Sequence, residues 1–250
     1  MEDGLKKVLL LRLNLFGDTI HSGISFKNTL FESVQRILSL VIFVLVFSSC
    51  EEDNPPPPPD LGYRYFPLIT GNERIYLVDS LAYDNNAGIT DIDTFRYYYR
   101  EQVGEIYQSG NGENWYMIYR AFADTLDGNW RVSNTWRALQ NELYAQQNED
   151  NRVFVKMVFP VKENKSWNGN MFNALDAITY RFIATEVPYN QFDNTIIIQM
   201  ENDSNAIEVI RRNEQYAKDV GLVYFKYDSL NTQVSGTRGF RKQYRLIQYR

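Results

Sequence analysis

Beyond residue 50 the chain has no histidine and no cysteine; its one histidine is His21 and its one cysteine is Cys50. For residues 51–250 this excludes Ser-His-Asp and Cys-His catalysis, imidazole or thiolate zinc sites and any internal disulfide. Carboxylate-only chemistry, oxygen-ligated calcium and binding without catalysis remain. A basic surplus is also missing. Residues 51–250 carry 21 Lys/Arg against 27 Asp/Glu, a net charge of −6. That balance disfavours nucleic acid, which needs a basic surface, and electrostatic docking on anionic lipid. No helical period lasts three turns, and no repeat has propeller or solenoid spacing. Gly71, Gly104 and Gly221 lack phosphate-loop spacing and read as turns, bulges or strand bends.

The longest apolar run, Ile37 to Phe47, is about half the roughly 20 residues of a membrane span. It has the length of a signal-peptide core. Ser48, Ser49 and Cys50 follow it, then Glu51-Glu52-Asp53 and the prolines Pro55 to Pro59. Residues 1–49 therefore read as a signal peptide cleaved before Cys50, which would receive lipid. Phe47 departs from the leucine usual at that point of a lipobox. Met1 is the only methionine before Met117, and residues 1–29 exceed what a signal peptide needs. They read as an extension upstream of a start near Leu30 or Val34, with an unusually long leader as the alternative. Residues 50–62 then form a lipidated acidic and proline-rich tether. Its prolines favour polyproline II at about 3.1 Å per residue, a stiff spacer of roughly 15 Å. Several acyl chains make such an anchor effectively permanent.

Residues 63–250 read as a single all-β domain. All 18 tyrosines and all four tryptophans lie there, with many Ile, Val, Phe and Thr. Period-two alternation recurs. Phe95, Tyr97, Tyr99 and Val103 alternate with Thr94, Arg96, Arg100 and Gln102. Trp130, Val132, Trp136 and Ala138 alternate with Arg131, Ser133, Thr135 and Arg137. Val153, Val155, Met157 and Phe159 sit opposite Arg152 and Lys156, and Ile178, Tyr180, Phe182 and Ala184 opposite Thr179, Arg181 and Thr185. Asn111-Gly112 and Asp127-Gly128 favour the positive φ of tight hairpins. Asn85 to Gly88, Asn148 to Asn151, Asn168-Gly169 and Asn202 to Asn205 mark further loops. The expected strands are 73–80, 93–103, 105–109, 114–123, 129–139, 142–147, 152–159, 176–187, 194–201, 206–213, 219–227 and 238–249. The last alternates less cleanly, and Ala206 to Ala217 is open to one short helix. Consecutive hairpins imply one antiparallel meander of about 10–12 strands, forming a strongly curved sheet, a half-barrel or an open barrel.

Tyr63 to Ser80, Glu214 to Leu230 and the terminal Tyr244 to Tyr249 resemble the opening and closing strands of small Bacteroidetes lipoproteins, a largely uncharacterised group. The acidic tract after Cys50 resembles the one that directs some of them to the outer face of the outer membrane. The resemblance covers the two ends of the domain and implies an outer-membrane, lipid-anchored location and an all-β fold; the acidic tract implies the cell-surface leaflet, with a plain solvated tether, and so the periplasmic leaflet, as the alternative. It transfers no active site.

Among candidate site residues, Tyr97-Tyr98-Tyr99, Trp115-Tyr116 and Tyr119 offer rings for sugars or a lipid tail, or simply core. Asp84, Asn86, Asp91 and Asp93 form an oxygen-rich loop, but Gly88 stands where a further calcium ligand belongs, and a polar hairpin explains it. Glu201 and Asp203 could share a strand face, yet chance pairs are expected among so many acids. Arg211-Arg212 reads as a solvated strand end. No catalytic, cofactor or metal residue is assigned. The expected function is a lipid-anchored envelope lipoprotein with a non-enzymatic binding or structural domain. Its partners would be the membrane through the lipid, and a hydrophobic ligand, a glycan or an envelope protein. A carboxylate-based glycan hydrolase is the alternative. Intact mass and membrane fractionation test the anchor. The native protein should weigh as residues 50–250 plus three acyl chains and stay with the membrane. Cys50→Ala should be released or left unprocessed; a native protein retaining residues 1–49 without lipid would contradict the reading.

Overall fold

The computed structural model describes residues 57–86 and 89–250. Twelve strands follow in chain order: β1 (Glu73–Asn86), β2 (Ile89–Gln108), β3 (Asn114–Ala123), β4 (Arg131–Gln140), β5 (Tyr144–Glu149), β6 (Arg152–Val158), β7 (Ser166–Asn168), β8 (Thr179–Tyr189), β9 (Phe192–Ser204), β10 (Glu208–Ala217), β11 (Gly221–Gln233) and β12 (Gly236–Tyr249). A 3-10 turn at Tyr63–Tyr65 is the only helical piece among the described residues.

The strands form one antiparallel sheet in the order β6-β5-β4-β3-β2-β1-β12-β11-β10-β9-β8-β7. Apart from the passage from β6 to β7, each strand lies beside its successor, and β12 lies beside β1. The two outermost strands are therefore neighbours in sequence. They meet at a seam and nearly close the sheet into a barrel. Among the described residues, isolated hydrogen bonds rather than a strand ladder cross it: Val155 N–H donates to Gly169 C=O at 2.9 Å, Trp167 Nε1 to Val155 C=O at 2.8 Å and Asn173 Nδ2 to Val153 C=O at 2.8 Å. Near-closure limits exposed strand edges, the hazard of an open sheet.

Residues directly opposite in an antiparallel pair share a face. The register places Val78 opposite both Tyr97 and Tyr244, and Tyr76 opposite Tyr99 and Leu246. This row faces inward, and the rings of Tyr76, Tyr99 and Tyr244 pack 5.4–6.1 Å apart. One end of the barrel is closed by the segment leading into β1. Tyr65 and Phe66 are buried against Phe159, Trp167, Phe182, Ile198 and Tyr216. Val161 N–H donates to Leu61 C=O at 3.0 Å, and Lys218 pairs with Asp60 at 2.8 Å. The segment 60–66 is thereby tied across the barrel floor.

The alternation gave most strand positions, and five details differ. The expected strands 93–103 and 105–109 are one strand, β2, with a bulge between Val103 and Ile106. Gly104 sits in that bulge under the Tyr119 ring, where a Cβ would lie 2.4 Å from the ring. Of the two readings open for Ala206 to Ala217 the strand holds, as β10 after a turn in which the Asn205 side chain accepts the N–H groups of Ile207 and Glu208 at 2.9 Å. The loop expected from Asn202 accordingly begins only at Asn205. Asp127-Gly128 does not use positive φ; Gly128 instead donates to Thr125 C=O within a longer loop. Strand β7 leaves no signal in the sequence, because three residues are too few to show a period. Val132, expected inside, is 78% exposed at the rim.

Gly239 in β12 has φ of +125°, and a Cβ there would lie 2.0 Å from the Ser229 carbonyl oxygen. Gly112, in the β2–β3 turn, also has positive φ (+85°) but meets nothing within 4 Å. Alanine at Gly112 should cost only the left-handed backbone strain, about 1 kcal/mol. Gly239→Ala adds a clash with backbone and should cost about 2 kcal/mol or more. Urea unfolding midpoints at unchanged slope measure both; equal losses would contradict the assigned close approach.

Candidate functional site

Inside the barrel the inward positions of several strands carry charge. Arg74 on β1 lies opposite Glu101 on β2, which lies opposite Arg120 on β3. The ion-pair distances are 3.7 Å for Arg74–Glu101 and 3.9 Å for Arg120–Glu101. A relay of hydrogen bonds reinforces them. Arg120 Nε donates to the Tyr99 hydroxyl, and Tyr99 donates to Glu101 Oε1 at 2.8 Å. Arg120 also donates to Asn134 Oδ1 at 2.6 Å and lies 3.2 Å from the centroid of the Trp136 ring. Across the lumen, Lys156 on β6 donates to Glu214 on β10 at 2.7 Å and pairs with Glu149 on β5 at 3.3 Å. Arg212 lies 3.9 Å from Glu214, and the Tyr216 hydroxyl donates to Glu214 Oε2. The side chains of Lys156 and Glu214 are only 5% and 4% exposed.

These groups settle one another's protonation. Burial alone would push the Glu214 carboxyl up; Lys156 and Arg212 outweigh it and hold the carboxyl below its ordinary 4.5. Burial would likewise deprotonate Lys156, and Glu214 and Glu149 hold its ammonium above 10.5. Burial opposes charge on Arg74, Arg120 and Arg212 as well, but the phenols and carboxylates facing them keep all three raised. The Tyr99 and Tyr216 phenols are pushed well up, first by burial and then by Glu101 and Glu214, so both remain neutral donors. At neutral pH the lumen holds permanent charges of both signs.

A cavity of about 110 Å³ lies among them, floored by Phe66, Pro67 and Leu68 and walled by Ile118, Trp136, Leu222 and Phe225. Towards the end of the barrel opposite the floor a larger hollow of about 590 Å³ opens. Tyr99, Arg120 and Tyr244 border both spaces. The outer hollow is lined by Phe95, Tyr97 and Phe122 together with Arg96, Arg131 and Lys242. Its one lining carboxylate, Asp124, pairs with Arg131 at 2.9 Å, and Arg96 pairs with Asp79 at 2.6 Å. Lys242 is half-buried and, among the described residues, forms no ion pair. Burial and the nearby Arg120 lower its pKa from 10.5.

The structure places the earlier candidates as follows. Tyr97 and Tyr99 line the mouth and Tyr98 does not. Trp115 is buried, Tyr116 packs on the core, and Tyr119 is exposed, donating to Glu105 at 2.6 Å. Asp84, Asp91 and Asp93 stand on the paired strands β1 and β2, not in a loop. Among the described residues no three or more His, Cys, Asp or Glu are grouped to hold a metal ion. Glu201 faces Arg212 across the β9–β10 pair, while Asp203 is exposed, so the two make no shared site. Cys50 and the signal segment lie outside the described residues. Two readings are corrected. Arg212 is not a solvated strand end but an interior charge, over the rings of Phe225 and Tyr227 at 5.7 and 5.6 Å. Lys156, expected outside, is buried because Glu214 and Glu149 receive it inside the barrel.

No protein-family model and no curated protein matches the chain. Among solved structures, a candidate exported protein with a YmcC-like fold from Bacteroides fragilis matches at 11% identity and a TM-score of 0.36, covering 74% of this chain and 98% of that one. A likeness at that level carries no argument about function.

Removing one member of a buried ion pair strands the other. Glu214→Gln and Lys156→Met should each cost about 3 kcal/mol or more, whereas Lys156→Met with Glu214→Leu should cost much less than the sum. The Glu214 contribution is fully present above pH 4.5 and is lost as pH falls through its lowered folded value. The stability gap between wild type and Glu214→Gln should therefore narrow below pH 4.5. Denaturant unfolding from pH 7 to pH 3 measures it; a constant gap would remove Glu214 from the account.

Proposed function

We propose that this protein is a lipid-anchored cell-envelope lipoprotein whose β-barrel binds, without chemistry, an amphipathic ligand bearing a negative charge. The observation that carries the binding reading is the mouth. Phe95, Tyr97, Tyr99, Phe122 and Tyr244 supply apolar walls, and Arg96, Arg120, Arg131 and Lys242 supply positive charge, in a domain that is acidic overall. Aromatic walls with a few placed polar groups are the usual composition of a ligand site. Excess cations inside an acidic domain favour an anionic ligand by contrast with the repelling exterior. The anchor rests on Cys50 and its surroundings. The segment 60–66 lies at the barrel floor, the end away from the mouth.

The hydrolase alternative has less support. A glycosidase needs one carboxyl protonated near neutral pH. Glu214 is held in the opposite direction, and Glu101 and Glu149 both face cations.

Dodecanoate and dodecanol, titrated into the full chain in neutral lipid nanodiscs with empty discs as reference, separate the terms. Dodecanoate should bind saturably and more tightly than the alcohol. Lys242→Ala should weaken dodecanoate by about two- to fivefold, the loss of one half-exposed charge contact, and leave dodecanol unchanged. Equal binding of both probes, or no response to Lys242→Ala, would overturn the mouth as the site.

A further inference from the structure

Behind the mouth, the 110 Å³ cavity has an unbalanced lining: four cations, Arg74, Arg120, Lys156 and Arg212, against three carboxylates, Glu101, Glu149 and Glu214. Just outside the lining, Glu201 opposes Arg212, Lys242 adjoins Arg120, and Asp150, which accepts from Asn134 and Trp136, is exposed and screened by solvent, so the excess stands within the buried lining itself. Each lining carboxylate has a cationic partner, Glu149 having Lys156. Glu214 accepts from Lys156 and Tyr216, and Glu101 accepts from Tyr99 and faces two guanidiniums. The cations are not fully satisfied. Arg74 Nε and Arg212 Nε are buried and, among the described residues, donate to no acceptor. A buried guanidinium N–H without an acceptor costs free energy, and a charged acceptor gives the strongest return. The geometry points to the inner cavity as a binding site for one small oxyanion group, a phosphate or a carboxylate. That group is either free in solution or the head of an amphiphile whose tail lies in the aromatic mouth.

The inference deepens the binding reading above and rests on it only in taking the mouth as the way in. A volume near 110 Å³ admits a headgroup and not a sugar ring with its neighbours. A single negative charge would balance the lining, whereas an apolar or cationic group would leave the excess uncompensated. Trp136, in the cavity wall with Arg120 stacked on it, gives a built-in reporter.

The test is tryptophan fluorescence and thermal unfolding of the full chain in neutral nanodiscs, titrated with sodium phosphate against sodium chloride at matched ionic strength. Phosphate should give a saturable fluorescence change and raise the unfolding temperature; chloride should not. Arg212→Met should weaken phosphate at least about tenfold, the loss of a charge-assisted contact. Should that variant fold poorly, Glu149→Gln provides the converse. It removes a negative charge while Lys156 keeps Glu214, and raises the cation excess, so phosphate should bind about threefold tighter or more. Phosphate binding unaffected by either variant, or no phosphate binding at all, would overturn the inner site. The two readings fail separately. Phosphate binding with dodecanoate indifferent to Lys242→Ala retains the inner site and removes the mouth. Dodecanoate binding that depends on Lys242 but not on Arg212 or Glu149 retains the mouth and overturns the inner site. Dodecanoate and phosphate competing for the Arg212-dependent site would identify the anion as an amphiphile head; phosphate binding without such competition supports the free anion.

Discussion

The Lys156–Glu214 pair ties together the two halves of the chain, and the rest of the interior is arranged around it. Its partners stand on β6 and β10, in the two separate runs of hairpins that meet at the seam. Few hydrogen bonds cross that seam, so a contact through the lumen does what a strand pair would do elsewhere. The pair is expensive in isolation, since each ion loses its hydration. It is tolerable here because Tyr216, Arg212 and Glu149 satisfy what the two partners leave over. Twelve strands explain why such a pair exists at all. Barrels of about eight strands are filled by their own apolar side chains, whereas wider ones leave space inside. Long side chains reach across that space, and here Arg74, Glu101, Arg120, Lys156, Arg212 and Glu214 do so carrying charge.

The lumen is accordingly layered along its axis. At the floor, Tyr65, Phe66 and the apolar residues around Trp167 and Phe182 pack as an ordinary core. Above them the charges of Arg74, Glu101, Arg120, Lys156, Arg212 and Glu214 form a paired belt around a small cavity. Higher still, aromatic walls and cations open outward, and of these Lys242 alone, among the described residues, has no ion pair. The order follows from strand register: Arg74 opposes Glu101, and Val78, four residues on, opposes Tyr97. Moving along β1 and β2 therefore carries a ligand from rings to charges. A slip of one residue would turn the whole belt outward, so the binding surface and the fold share a single constraint.

The sequence shows the meander through period-two alternation and the Asn-rich turns, and strands such as 114–123 are legible almost to the residue. The site is much less so, and β2 shows why. The apolar phase Phe95, Tyr97, Tyr99, Val103 contains Glu101, a charge at an inward position that alternation invites one to skip. Arg212 and Glu214 share the phase of Tyr216 in the same way. A charged residue in phase with aromatics was the available signal. Reading charge as exposure, which is right for most strands, hid it. Lys156 was beyond this rule. It lies between Val155 and Met157, both fully buried, so β6 has no solvent face there for alternation to report. Lys156 is itself the extra residue of a bulge, since the adjacent Ala145 and Gln146 pair with Met157 and Val155, and this shifts the parity further. Strand β7 and the seam depend on tertiary contacts to Val155 and Tyr180 and have no local pattern.

The surface and the lumen differ in the sign of their charge, and that difference constrains what the barrel can do. A carboxylate acting as an acid must be freed from cations, whereas here each buried carboxylate has been neutralised by at least one. The surplus falls to the cations, which cannot lose their protons: arginine is effectively always charged, and Lys156 is held protonated by two glutamates. Permanent positive charge with little titratable acidity nearby suits holding an anion and gives proton transfer little to work with. The aromatic approach adds apolar area without adding a nucleophile, and no histidine or cysteine is available in residues 51–250 to supply one. The same residues that make a twelve-stranded lumen stable thus bias it towards recognition rather than reaction.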